Sequence, residues 1–266
     1  MVNKPAPEAE LRTDSESGEG LSADPPAPDA SIFEIENVDV VPKAPLLHAL
    51  RAGDSFAGEE IRLLGARVSS LVNDRGLKSL GVVSAGPGEG KSTLSLCLAT
   101  TIAEGLGRRI LVLEADLRRP SLEGKLDLAP CGGLGEWLTE KADRLPVRRV
   151  GPRGFFLISA GLVPLNKPEL LASPRMSQLV KVARASFDLV ILDCPPLVPL
   201  ADAVFLQDFV DGFLFVVRAR QTPRDVLRRA LANLKPELIL GTVLNQQREI
   251  LRSYEANAYR QYRRGR

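Results

Sequence analysis

The chain contains a single histidine, His48, and only three cysteines, and none of its apolar runs approaches the roughly 18 residues that a membrane-crossing helix needs. One imidazole excludes a histidine-rich metal centre and any mechanism that uses two. Cys97, Cys131 and Cys194 are far apart and form no CxxC pair. Neither a disulfide framework nor a zinc site is therefore indicated, and a reducing compartment fits best. The N-terminus lacks the apolar centre of a signal peptide. Aromatic residues make up 5% of the chain and do not interleave with its basic residues, so nothing points to nucleic acid as a partner.

What the sequence does have is an ordinary globular balance over 266 residues, 44% hydrophobic and 26% charged, enough for one sizeable core. The net charge of +2 conceals an asymmetry. Residues 1–40 hold ten acidic side chains against Lys4 and Arg12, which leaves the rest of the chain strongly basic. Proline clusters at Pro25, Pro26 and Pro28, and large apolar groups are scarce there. This composition predicts a disordered acidic arm over residues 1–45, followed by a folded domain over 46–247 and a basic tail over 248–266.

Helical spacing of Ile61, Leu64, Val68 and Leu71 predicts a surface helix that leads into the fold. After it come six short aliphatic runs at 79–84, 109–114, 154–159, 188–193, 212–217 and 238–245, with helical patterns at 91–106, 175–186 and 223–235. Such alternation predicts an α/β fold: a doubly wound, mostly parallel sheet with helices on both faces.

The first of these runs passes directly into SAGPGEGKST and then into a helix. Strand, glycine-rich loop and helix in that order make a P-loop, with Ala85, Gly86, Pro87, Gly88, Glu89, Gly90, Lys91, Ser92 and Thr93 as nucleotide-binding candidates. The glycines let backbone N–H groups converge on phosphate, Lys91 neutralises the β and γ phosphates, and the Ser92 hydroxyl is suited to Mg²⁺. Two further acidic motifs end strands. ILVLEADLRRP places Glu114 and Asp116 at a C-terminal sheet edge, where a period of two predicts that both face one site. ILDCPP places Asp193 in the Walker B position. Ser92, Asp116 and Asp193 are thus the metal candidates, and Glu114, Asp116 and Lys91 the catalytic ones.

These blocks, with PLNKPELLASPRM at 164–176, LDCPPL at 192–197, VRARQTPRDVLRRAL and GTVLNQ, resemble the bacterial tyrosine autokinases of capsule and exopolysaccharide systems over about residues 45–262. The resemblance implies a deviant Walker-type P-loop fold and ATP with Mg²⁺ as cofactors. It further implies Asn245 near the adenine, Glu114 in the place of a proton-accepting aspartate, and transfer between subunits to C-terminal tyrosines. All three tyrosines, Tyr254, Tyr259 and Tyr262, fall in the last 13 residues. A terminal amphipathic helix with Ile250, Tyr254, Ala258 and Tyr262 on one face is the other reading of that segment. The family's ring-forming motif reads Glu59, Arg62 and Gly65 here, without its last arginine. A transmembrane polysaccharide co-polymerase as activator at the inner face of the plasma membrane, further copies of the chain and a tyrosine phosphatase are the partners implied. A ParA- or MinD-like positioning ATPase is an alternative, although the lysine such proteins carry early in the loop is replaced by Gly86. A non-catalytic nucleotide-binding adaptor is the other.

Overall fold

The computed structural model describes residues 32–38, 47, 56–162, 168–199 and 202–247. Eight strands form one sheet: β1 (Phe33–Val38), β2 (Ser79–Ser84), β3 (Ile110–Glu114), β4 (Leu145–Val150), β5 (Phe156–Ile158), β6 (Leu189–Asp193), β7 (Gly212–Arg218) and β8 (Ile239–Asn245). Their spatial order is β1-β4-β5-β3-β6-β2-β7-β8, and every neighbouring pair is parallel except β4 with β5. The six aliphatic runs of the sequence supply the strands from β5 and β3 across to β8. Every residue of β2, β3 and β6 is buried, as expected of central parallel strands covered on both faces.

Helices α1 (Phe56–Arg75), α2 (Lys91–Leu106), α3 (Leu122–Leu126), α4 (Leu134–Leu138), α5 (Pro174–Ser186) and α6 (Arg224–Ala232) flank this sheet. Leu96, Leu98 and Ile102 of α2 join Val68 and Val72 of α1 in one apolar layer. Met176, Leu179 and Phe187, with Trp137 and Phe213, form the layer on the other face. Pro174 starts α5 behind Ser173, whose hydroxyl accepts the Met176 N–H.

The boundary expected at residue 45 is corrected. Residues 33–38, assigned by composition to the acidic arm, pair with β4 as an edge strand. Phe33 is the cause: it is 1% exposed and its ring meets Phe187 at 6.0 Å between centroids. The rest of the expected arm, apart from Ile32, lies outside the described residues. β4 itself was not expected, because LPVRRV carries a proline and two arginines. Arg148 is nevertheless buried and pairs with Glu123 at 3.2 Å, while Glu36 of β1 approaches it to 3.7 Å.

Gly65 has a clear structural reason. It is buried where α1 meets α2, and a Cβ added to it would lie 2.9 Å from Thr101 Cγ2. No arginine fits there. Gly65→Arg, the substitution that completes the ring motif, is expected to cost about 1–3 kcal/mol through overpacking. Urea unfolding checks this, and an unchanged midpoint accompanied by ring formation is the opposite result.

Candidate nucleotide site

Loop 85–90 joins the end of β2 to the start of α2. Gly88 and Gly90 have φ of +75° and +102°, a region costly for any residue with a side chain. The start of α2 has no side-chain cap and no acid in its first turn. Its first N–H groups are thus open to an anion, with the helix dipole favouring negative charge. Lys91 opens the helix and is itself buried. The loop is pinned from behind, since the N–H groups of Leu197 and Val198 donate to the carbonyls of Ser84 (2.9 Å) and Ala85 (3.0 Å).

A cavity of about 690 Å³ opens in front of the loop, large enough for a nucleotide. Pro87, Gly88, Gly90, Lys91, Ser92 and Thr93 line one wall. Asp116, Arg118, Arg119, Ser121 and Lys125 line the wall beyond β3. Pro196, Pro199 and Gln246 complete it from the exits of β6 and β8. The cavity sits at the carboxyl ends of parallel strands, the usual ligand position in such sheets.

The acidic candidates separate into distinct environments. Asp193 closes β6 and is 1% exposed. Its Oδ1 accepts the Ser95 hydroxyl at 3.2 Å, whereas Oδ2 is buried without a protein partner. Burial pushes its pKa up to about 7, against the lowering effects of the Ser92 hydroxyl and Lys91. Asp116 faces the cavity, and burial also raises its pKa, with Lys91 opposing. Its Oδ1 accepts the Arg119 N–H at 3.1 Å.

Glu114 is a correction to the expectation that it shares a site with Asp116. It does not line the cavity. Its Oε1 accepts the N–H groups of Ser121 (2.6 Å) and Leu122 (2.8 Å), and its Oε2 accepts that of Ala160 (3.1 Å). Burial raises its pKa while these three N–H groups lower it. The period of two fails because β3 ends at Glu114, so Asp116 already belongs to the turn.

Three loop assignments change in the same way. The Glu89 carboxylate is 5% exposed and turns inward, where Oε1 accepts the Gly86 N–H (3.1 Å) and the Thr222 hydroxyl (3.0 Å). Glu89 and Gly86 therefore shape the cradle and lie off the cavity wall, as does buried Ala85. Asn245 donates from Nδ2 to the Glu89 carbonyl at 2.8 Å, while its Oδ1 accepts the Gln246 N–H at 2.9 Å; Gln246 lines the cavity. Sequence reasoning also missed Arg118, Arg119 and Lys125, although the basic pair directly after the acidic motif was a usable signal. Tyr254, Tyr259 and Tyr262 lie outside the described residues.

Ser92, Asp193 and Asp116 suit a hard cation. The unpartnered, buried Oδ2 of Asp193 is the observation that favours one. Among the described residues no cluster of three or more His, Cys, Asp or Glu could hold a metal alone. That donor set matches Mg²⁺, which takes one or two carboxylates and completes its shell with phosphates and water. The three cysteines are free thiols, and burial pushes Cys97 and Cys131 up to about 12 and 11, far from nucleophilic. No helix among the described residues is long and apolar enough to cross a membrane.

No family model matches the chain. It is 33% identical over 201 residues to the tyrosine-protein kinase YwqD of Bacillus subtilis, covering 74% of this chain and 84% of that one. It is 31% identical over 207 residues to the tyrosine-protein kinase etk of Escherichia coli, covering 75% of this chain but 28% of that one. With the succinoglycan biosynthesis transport protein ExoP of Rhizobium meliloti the identity is 35% over 173 residues, 63% of this chain and 22% of that one. The chain thus spans less than a third of the length of these two larger relatives. Among solved structures, the kinase domain of Escherichia coli ETK superposes with a TM-score of 0.70 at 29% identity, covering 77% of this chain and 82% of that domain. The BceF tyrosine kinase domain gives 0.65 at 28% identity, covering 75% of this chain and 81% of that domain.

Proposed function

Because the chain belongs to the bacterial tyrosine-protein kinases, we propose that it transfers the γ-phosphoryl group of ATP to tyrosines of its own C-terminal tail, Tyr254, Tyr259 and Tyr262, between subunits. The observation that carries this reading is an uncapped α2 N-terminus with Lys91 and Ser92 on the cavity wall, and the unpartnered Asp193 Oδ2 buried beside those two side chains. The helix terminus and Lys91 take the phosphates. Ser92 and Asp193 would hold Mg²⁺, with Asp116 beside them. When bound, the cation supplies charge neutralisation to the β and γ phosphates. Asp116, which faces the cavity with its Oδ1 held by the Arg119 N–H, accepts the phenolic proton. Glu114 is occupied by backbone N–H groups and serves the scaffold.

The wider role is control of exopolysaccharide or capsule polymerisation and export. A transmembrane polysaccharide co-polymerase recruits and activates the kinase at the inner face of the plasma membrane, further copies supply the acceptor tails, and a tyrosine phosphatase resets them. Incubating the purified chain with Mg²⁺ and γ-labelled ATP, with and without an activator fragment, tests the activity. Label on tail tyrosine is expected. Phosphate release without self-labelling identifies a positioning ATPase instead, and binding without either an adaptor. Lys91→Met is expected to weaken ATP binding about 30-fold or more by calorimetry, since a charged partner of the phosphates is lost.

A further inference from the structure

Two cations on the cavity wall beyond β3 are left over once the nucleotide is accommodated. Arg118 is committed, because its guanidinium bonds the buried Asp202 carboxylate. Lys91 and the α2 N-terminus answer the net charge of Mg·ATP. Arg119 and Lys125 remain. Both line the cavity, and among the described residues neither side chain has an ion pair or hydrogen bond.

Their backbones, by contrast, are held firmly. The Arg119 N–H is fixed on Asp116 Oδ1, and Lys125 lies in the last turn of α3, whose first N–H is received by Glu114. Two buried carboxylates thus present two unneutralised cations beside the group that accepts the phenolic proton.

The acceptor sequences differ in the charge that follows the tyrosine. Glu255 follows Tyr254, Arg260 follows Tyr259, and Arg263 with Arg264 follows Tyr262. We propose that Arg119 and Lys125 select acceptor tyrosines followed by an acidic residue, which makes Tyr254 the first tail position modified. The proposal rests on the kinase reading above. In the step itself a bond forms between the tyrosine Oη and Pγ. The bond from Pγ to the β,γ-bridging oxygen breaks and its electron pair leaves with ADP, while the phenolic proton passes to Asp116 and then to water. The wall acts on approach: it attracts Glu255 and repels Arg260 and Arg263.

A mass-spectrometric time course of the full chain with Mg·ATP is expected to show early occupancy of Tyr254 above that of Tyr259 and Tyr262 by about 3- to 10-fold, narrowing as salt screens the contact. Glu255→Lys, which leaves every acceptor followed by a basic residue, should level the ratio; Arg119→Glu with Lys125→Glu should invert it, and adding Glu255→Lys to that pair should level it again. Equal or faster labelling of Tyr259 or Tyr262 overturns the proposal. So does a charge reversal that raises the KM for ATP and leaves the ratio alone, because the two cations then serve the nucleotide. Peptides of residues 250–258, with Glu255 or with Glu255→Lys, separate this idea from the tail reading. Preference for the Glu255 peptide while the tail stays bare upholds the wall and removes the tail as acceptor. Equal labelling of the two peptides removes the wall and leaves the kinase standing.

Discussion

Asp193→Asn is expected to make the ligand-free chain more stable at pH 8 while lowering Mg²⁺-dependent phosphorylation by about 100-fold or more. The native carboxyl is pushed up to about 7 from an ordinary value of 3.8. Between those values the folded chain keeps a proton that the unfolded chain releases, so stability present below about pH 4 is lost as pH rises through 7. The size of that rise sets a ceiling of about 4 kcal/mol on the loss. Asparagine keeps an oxygen for Ser95 and carries no charge to bury. The stability difference between variant and parent should therefore be small at pH 4 and grow by about 2–4 kcal/mol at pH 8, in buffer free of Mg²⁺ and nucleotide. Denaturant titrations at the two pH values measure it, and a difference that does not change with pH rules out the buried ionisation. The same group that costs the empty protein stability is the one a cation relieves.

The second large effect concerns Glu114. Its carboxylate holds three backbone N–H groups from two separate segments, the start of α3 and the end of β5. Glu114→Ala leaves all three buried donors without that partner and is expected to cost more than about 3 kcal/mol. Glu114→Asp, which restores the residue usual in the family resemblance, draws the carboxylate back by one methylene. It is expected to cost about 1–3 kcal/mol and to give no gain in tail phosphorylation. Thermal unfolding together with a phosphotyrosine assay checks both. A stable and faster Glu114→Asp variant returns Glu114 to the proton-accepting role.

These two residues mark where the sequence could be read and where it could not. Asp193 was legible because LVILD is a continuous buried run that ends in a carboxylate, and strand, loop and helix around GEGKS admit few other meanings. Glu114 was misread because its partners are main-chain N–H groups of residues 121, 122 and 160, which carry no side-chain signature. Glu89 was misread for a related reason: its partner Thr222 comes from distant sequence. At the level of the fold, the central strands announced themselves by apolar continuity. β1 and β4 did not, since FEIENV buries only its first residue fully and LPVRRV hides an arginine in an ion pair. An edge strand that carries charge resembles a linker until the surface it covers is known.

β1 bears on how the protein can be trimmed. A chain cut at residue 46, where composition suggests the acidic leader ends, would strip Glu34 and Glu36 from the sheet margin and leave the row of hydrogen-bonding groups on β4 open to pairing with other molecules. Phe187 would lose the Phe33 ring at the same time and keep that of Phe156. Residues 33–38 thus guard against self-association, and an expression boundary for handling this kinase at high concentration belongs upstream of Ile32.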